Sequence, residues 1–315
     1  MKACIDIGGT KIAVCLSPAK ADPATGLPPL LHRRTAPTPR SGAPGELARQ
    51  AIALVDAACA EAGIGRGDLQ AVGVSSCGPF LLVDGQIELA APNICGGLAG
   101  PARGLPNNWR SVPLQAPLAL AFTNLRLEND GVAALEAERR WGALQGLRHC
   151  AYVTWSTGVG VGLCVDGRAL HGKHGNAGHA GHMFVSDDAS GALCGCGNVG
   201  DVEALVAGSA LPGRFGLDAP ALLQAAEAGD AAALAVVDEL CRTLGRMLYN
   251  LTVTLDLERI SIGGGVFWHH RRFLLPRLQA QISGRLAALT EGVDVVEAGL
   301  GGQVGDYAAL ALVSD

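Results

Sequence analysis

Apolar and polar positions alternate along this chain in two periods. Short apolar runs read as buried strands at Ala3 to Ile7, Ile12 to Leu16, Leu69 to Ser75, Ala151 to Trp155 and Arg259 to Ile262, with another strand around Leu30 to Thr35. Between them lie stretches with the 3.6-residue period of helices: Glu46 to Ala62, a helix beginning near Val132 and running to Trp141, the long Ala231 to Leu255, and a last helix over Val304 to Leu312. Strands alternating with helices predict an α/β chain. Ser17 to Pro44 reads as an exposed connection and Gly100 to Pro117, with four prolines and Trp109, as a loop.

The strand ends carry the chemistry. Leu125 to Leu127 leads into Glu128-Asn129-Asp130 at a strand-to-helix junction, where α/β folds place ligand-binding residues; Asn and Asp are also ordinary helix caps. Asp6 closes the first strand, ahead of the turn Gly8-Gly9-Thr10-Lys11. A carboxylate there is placed to hold Mg²⁺ through water, and Thr10 with the turn amides to bond phosphate oxygens; an ordinary Gly-Gly hairpin competes on equal terms. The strand ending at Trp155 runs into Ser156-Thr157-Gly158-Val-Gly160-Val-Gly162, whose glycines permit positive φ and close approach of N–H groups to an anion, or make a tight hairpin. Gly263-Gly264-Gly265 follows a strand and lets backbone pass close to a flat ring, or serves packing alone.

Composition narrows the classes. With 315 residues and 49% hydrophobic content the chain has enough material for two domains with cores. A net charge of −5 offers no basic stripe to nucleic acid. No apolar run is long enough to span a bilayer, and Met1-Lys2 leads directly into a strand without a signal sequence. Ten cysteines, scattered through apolar segments apart from Cys194 and Cys196, point to buried thiols in a reducing cytoplasm.

Between His174 and His182 the chain is rich in Gly and Ala, so His179 and His182 do not belong to an amphipathic core pattern. Cys194-Gly-Cys196-Gly and Asp201-Val-Glu203 follow. In order, Asp6-Ile-Gly-Gly-Thr-Lys, Asn129-Asp130, Ser156-Thr-Gly-Val-Gly-Val-Gly, Gly178-His-Ala-Gly-His182, Cys194-Gly-Cys-Gly and Ile262-Gly-Gly-Gly-Val266 resemble the ROK family of bacterial sugar kinases and repressors, over nearly the whole chain. The resemblance implies a two-domain actin/ribonuclease-H-like fold, with ATP and sugar meeting in an interdomain cleft. It places residues 1–122, joined by the C-terminal helix 304–315, in one domain and 123–303 in the other.

The same resemblance implies roles. Asp130 is the base that accepts the proton of a primary sugar hydroxyl. Asn93, Asn129, His179, His182 and Glu203 bind the sugar, with Ser76 and Gly78 weaker candidates in a turn. Asp6, Gly8, Gly9, Thr10, Lys11, Thr157, Gly158, Gly160, Gly263, Gly264 and Gly265 bind MgATP. His182, Cys194 and Cys196 match three ligands of the family's structural zinc site; its third cysteine is Asp201 here, which is either a fourth ligand or merely the cap of the next helix. Glu203, in that helix's first turn, is also favoured electrostatically whatever its role. The residue at 179 is usually Glu in the family. His179 leaves more room and can donate as well as accept, so it favours an acetamido or axial substituent. N-acetylmannosamine kinases have a similar run, while glucose, fructose, mannose or a sugar-like cyclitol stay open. A homodimer is carried over from the family. A non-catalytic sugar sensor is the alternative; the family's repressors carry a helix-turn-helix domain ahead of a first strand that here starts at Ala3.

Overall fold

In the computed structural model, residues 1–18, 20–98, 104–186 and 191–314 are described. They form two compact units: Met1–Ala137, His171–Ala177 and Gly305–Asp315 make the first, Glu138–Leu170 and Gly178–Val304 the second.

The first unit opens with β1 (Lys2–Ile7), β2 (Lys11–Ser17) and β3 (Leu31–Pro37), followed by helix α1 (Glu46–Glu61) and β4 (Ala71–Ser76). A small sheet of β5 (Phe80–Val83), β6 (Gln86–Leu89) and β7 (Val112–Pro113) comes next, then α2 (Gln115–Ala121) and β8 (Leu125–Asn129). The main sheet has the order β3-β2-β1-β4-β8; β1 pairs antiparallel with β2 and parallel with β4, and β4 parallel with β8. Ile5, Ile7, Ile12, Leu16, Val72 and Val74 are buried against Leu47, Ala51 and Val55 of α1, the apolar face that its helical period predicts.

Helix α3 (Asp130–Trp141) leads from the first unit into the second. There β9 (Cys150–Trp155), β10 (Val159–Val165) and β11 (Arg168–Ala169) precede four helices, α4 (Val202–Val206), α5 (Leu211–Phe215), α6 (Ala219–Glu227) and α7 (Ala231–Leu255). β12 (Arg259–Gly263), α8 (Gly265–Trp268), α9 (Arg271–Ile282), α10 (Ala287–Thr290) and β13 (Asp294–Glu297) complete it. Its sheet order, β11-β10-β9-β12-β13, has the connectivity of the first, with β9/β10 antiparallel and β9/β12/β13 parallel. Helix α7 fills the core through Val237, Leu240, Leu244, Leu248 and Leu251; Asp230 caps it by accepting from Ala233 N–H, and Asp256 ends it in the left-handed region at φ 53°. Of the final helix α11 (Val304–Ala311), Gly305 onward belongs to the first unit, where Asp306 pairs with Arg33 at 2.6 Å and the Ala309 carbonyl occupies the space a side chain on Gly73 would need.

One carboxylate lies wholly inside the second unit. Glu138 is 0% exposed and accepts from the N–H groups of Ala143, Gly299 and Leu300, each at 2.9 Å, and from the Ser261 hydroxyl at 3.0 Å. It pins the end of α3 to β12 and to the chain leading into α11.

The segment from Gly100 to Pro117 departs from the predicted loop. Residues 99–103 lie outside the described ones, but 112–113 form β7 and α2 begins at Gln115, because Val112, Leu114 and Leu118 are buried in the core. All ten cysteines are free thiols; eight are buried, Cys77 is half-buried and Cys196 exposed. Among the described residues no single helix is long and apolar enough to cross a membrane.

Candidate functional site

In the first unit the site residues gather around the β1–β2 turn. Gly8 N–H donates to Lys11 O at 2.9 Å. The turn's carbonyls are tied back: Gly8 O accepts from the Thr38 hydroxyl and Gly9 O from the Arg40 guanidinium, both at 2.7 Å, and Thr10 O from Thr38 N–H at 3.0 Å. Oxygen atoms that would repel a phosphate are thereby occupied, and the side chains of Thr10 and Lys11 stay exposed. Sequence reasoning overlooked Thr38 and Arg40, which have no local motif.

Gly9 lies directly under the Asn93 carboxamide, whose nitrogen occupies the place of the missing side chain. Asn93 Oδ1 is buried and, among the described residues, has no hydrogen-bond partner. A buried acceptor without a partner costs about 1–3 kcal/mol and marks a place for a donor from outside the protein.

Asp6 closes β1. Burial pushes its carboxyl up to about 7, the charge of Asp130 adds to the rise, and a hydrogen bond from Ser75 and the charge of Lys11 oppose it. Asp130 is half-buried at the start of α3. Asn129 is 5% exposed; its Oδ1 accepts from Gly131 N–H at 2.9 Å, so it performs the capping expected of an Asn here. Next to it Glu128 pairs with His171 at 3.4 Å. Ser76 is fully buried at the end of β4, its hydroxyl donating to Cys77 O.

The second unit has the corresponding hairpin between β9 and β10. Gly158, Gly160 and Gly162 do not adopt positive φ, contrary to the expectation from their spacing. Their smallness serves proximity: a side chain on Gly158 would meet Glu203 Oε2 at 2.7 Å, and one on Gly160 would meet Thr154 at 3.1 Å. Gly178 and Gly181 likewise lie against the carbonyls of Val161 and Val159, which explains the Gly-rich run flanking His179. His179 and His182, joined by a 3-10 turn, stack with ring centroids 6.2 Å apart. After β12, Gly264 at φ 92° passes against the Trp155 carbonyl, a conformation that suits glycine alone.

His182, Cys194, Cys196 and Asp201 each aim one donor atom at a common point, all four atoms within 4.8 Å of one another. His182 Nδ1 is 3.1 Å from Asp201 Oδ2 and 3.7 Å from Cys194 Sγ, and Cys196 Sγ is 3.6 Å from the same Oδ2. Tetrahedral zinc, with ligand bonds of about 2.0–2.3 Å, needs donor separations of about 3.3–3.8 Å; 3.6 and 3.7 Å lie in that range and 3.1 Å just below it, so the donor set suits zinc once its wider pairs, within 4.8 Å, draw in. Asp201 does cap α4, Oδ1 accepting from Ala204 N–H at 2.8 Å, and its Oδ2 is left facing His182 and Cys196, where it could also serve as a ligand. Asp201 holds the His182 imidazole above its ordinary pKa, with Glu203 adding to the effect. Glu203 bridges cluster and hairpin: Oε2 accepts from Val159 N–H at 3.0 Å and Oε1 lies 3.6 Å from Cys194 Sγ.

The structure therefore gathers Asp6, the Gly8–Lys11 turn, Asn93, Asn129 and Asp130 in one unit. The other holds Thr157, Gly158, Gly160, His179, His182, Cys194, Cys196, Asp201, Glu203 and Gly263 to Gly265.

The ROK family profile matches residues 2–315. The chain belongs to the ROK family. A glucokinase of Aeropyrum pernix is 32% identical over 275 residues, 79% of this chain and 81% of its own length. An N-acetylmannosamine kinase of Salmonella typhimurium is 34% identical over 269 residues, 83% and 82% of the two chains. The crystal structure of a ROK hexokinase from Thermus thermophilus superposes with a TM-score of 0.74 at 31% identity, covering 99% of this chain and 97% of that one. The resemblance read from the motifs is borne out, and with it the actin/ribonuclease-H-like α/β fold. Carbohydrate kinase is the enzyme class these ROK relatives support.

Proposed function

We propose that this ROK protein transfers the γ-phosphoryl group of MgATP to the primary, 6-position hydroxyl of a hexose or N-acetylhexosamine. The observation that carries the reading is the carboxylate pair of the first unit: Asp130 at a helix start, raising Asp6 electrostatically beside a glycine turn whose carbonyls are tied back. Two such carboxylates suit a site that receives a proton and a magnesium-bound phosphate. Asp130 takes the proton of the attacking hydroxyl, and Asp6 would hold Mg²⁺, which would neutralise charge on the phosphates. Thr10, Lys11 and the amides of Gly8 and Gly9 hold phosphate oxygens, with Thr157, Gly158 and Gly160 on the second hairpin and Gly263 to Gly265 alongside the adenosine. The transition state of phosphoryl transfer is loose, so positioning and charge matter more than the strength of the base.

Asn93 offers its unpartnered Oδ1 to a sugar hydroxyl, and Asn129, His179, His182 and Glu203 complete the sugar contacts. His182, Cys194, Cys196 and Asp201 would hold a structural zinc ion, which fixes the His182 ring and, through Glu203, the neighbouring hairpin. N-acetylmannosamine and glucose are the favoured acceptors, since relatives named for each are almost equally similar. A homodimer and a cytoplasmic location, the latter consistent with ten free thiols, complete the proposal.

The test is sugar-dependent ADP release, followed as kcat/KM over N-acetylmannosamine, N-acetylglucosamine, glucose, mannose and fructose. One of these should stand well above the sugar-free background. Release that no sugar accelerates would refute the proposal.

A further inference from the structure

The Asn93 loop and the Gly8–Lys11 turn are far apart in sequence, yet a single side chain ties them together. Asn107 uses all four of its hydrogen-bonding positions. Its Oδ1 accepts from Gly96 N–H at 2.8 Å and Trp109 N–H at 3.0 Å; its Nδ2 donates to Ile94 O and Arg40 O, both at 2.9 Å. Arg40 in turn donates from its guanidinium to Gly9 O at 2.7 Å. A continuous chain of bonds thus runs from the loop after Asn93, through Asn107 and Arg40, to the phosphate turn.

Packing closes the circuit. Gly96 and Gly97 have no room for a side chain because the carbonyls of residues 107 to 109 lie against them, and Trp109, 7% exposed, anchors that segment in the core. At the other end Asn93 rests directly on Gly9. Asn107 thus restrains the Asn93 loop together with the Gly97 N–H to Trp109 O bond, and Arg40 restrains the turn together with Thr38.

We propose that Asn107 is a positioning residue that fixes the sugar-binding Asn93 loop and the phosphate turn as one body, so that sugar and nucleotide each tighten the binding of the other. This rests on the kinase reading for its ligands, though the link itself does not. Where two ligand loops order as one body, a ligand that orders one lowers the cost of ordering the other, and the coupling is reciprocal. All four hydrogen-bonding positions of Asn107 are taken by protein groups and none is left for a ligand, so it acts through the loops it ties and not on the chemical step.

The experiment uses Asn107→Asp, which keeps both accepted bonds but sets a carboxylate oxygen against the Arg40 and Ile94 carbonyls. Arg40→Met, which cuts the same chain one link later, serves as the second variant should the first fail to fold. Hydrogen exchange on the ligand-free proteins should show Gly8 to Lys11 losing protection in Asn107→Asp although the substitution is in another loop. Titration of an unhydrolysable ATP analogue, with and without glucose or N-acetylmannosamine, should show the sugar's tightening of nucleotide binding reduced about fivefold to tenfold in both variants. At saturating substrates kcat should stay within about threefold of wild type while both KM values rise. A general loss of stability would not produce that split. Wild-type exchange at Gly8 to Lys11 together with wild-type coupling would overturn the inference and leave the kinase reading intact. Shared loss of protection in a protein that phosphorylates no sugar would uphold the link and remove the kinase reading instead.

Discussion

The two units share one sheet order, and each places a glycine-containing hairpin between its first two strands, yet they use that hairpin differently. In the first unit the β1–β2 turn is held by neutral and cationic donors, Thr38 and Arg40, and stands near the carboxylates Asp6 and Asp130. In the second the β9–β10 turn is held by a carboxylate, Glu203, that also reaches the Cys194 thiol. A common frame thus carries two carboxylates beside a turn with tied-back carbonyls in one unit and a turn buttressed by a carboxylate in the other. Glycine serves the two alike: Gly9 makes way for Asn93 and Gly158 for Glu203, close approach in both cases and not a left-handed backbone.

Breaking the first unit's half of this comparison should have the largest effect. Asp130→Asn should lower kcat by about 10²–10⁴-fold while the protein keeps its melting temperature, as measured by steady-state kinetics and calorimetry. Near wild-type turnover would mean that Asp130 is a helix-start residue and nothing more. The second unit's frame is probed by Glu138→Ala. Stripping a buried carboxylate from three N–H groups and a hydroxyl should cost about 3–5 kcal/mol in denaturant unfolding, against little change for a surface Glu such as Glu291.

Removing the metal should have a smaller, more local effect. Protein purified without added zinc should carry about one zinc per chain, and chelation or Cys196→Ala should lower stability and sugar affinity together, because His182 serves both. His182 must give up its proton to bind the ion, and Asp201 with Glu203 holds that proton on in the metal-free protein, so zinc affinity should fall steeply as the pH drops below neutral. Full activity without metal would reduce Asp201 to its capping role. The smallest change is in preference: His179→Glu should shift kcat/KM toward glucose from N-acetylmannosamine, and an unchanged ranking would show that position 179 does not read the sugar.

Much of this was legible in the sequence, for identifiable reasons. Helix α7 was readable end to end because its apolar period is unbroken between Asp230 and Asp256. The junctions at Asp6, Asp130 and Gly263 were readable because at each an apolar strand gives way, within two residues, to polar or glycine residues. The β5–β6 hairpin was missed although Asp84-Gly85, both at positive φ, is a strong turn signal; Leu81, Leu82 and Val83 are all exposed and show no alternation to draw attention. Asp166-Gly167 between β10 and β11 is the same signal, also passed over. Asp201 could not be decided from sequence, since a carboxylate has two oxygens: here one caps α4 and the other faces His182. Asn107 and Glu138 left no trace at all: their importance lies in bonds to residues distant in the chain, and no local pattern records those.

The division of labour between the units is tested most directly by calorimetric titration of the preferred sugar into Asp130→Asn and Glu203→Gln, with turnover measured on the same samples. Asp130→Asn should bind the sugar within about threefold of wild type and turn over at least a hundredfold more slowly, while Glu203→Gln should lose about tenfold or more in sugar affinity. Sugar binding abolished by Asp130→Asn and untouched by Glu203→Gln would contradict it.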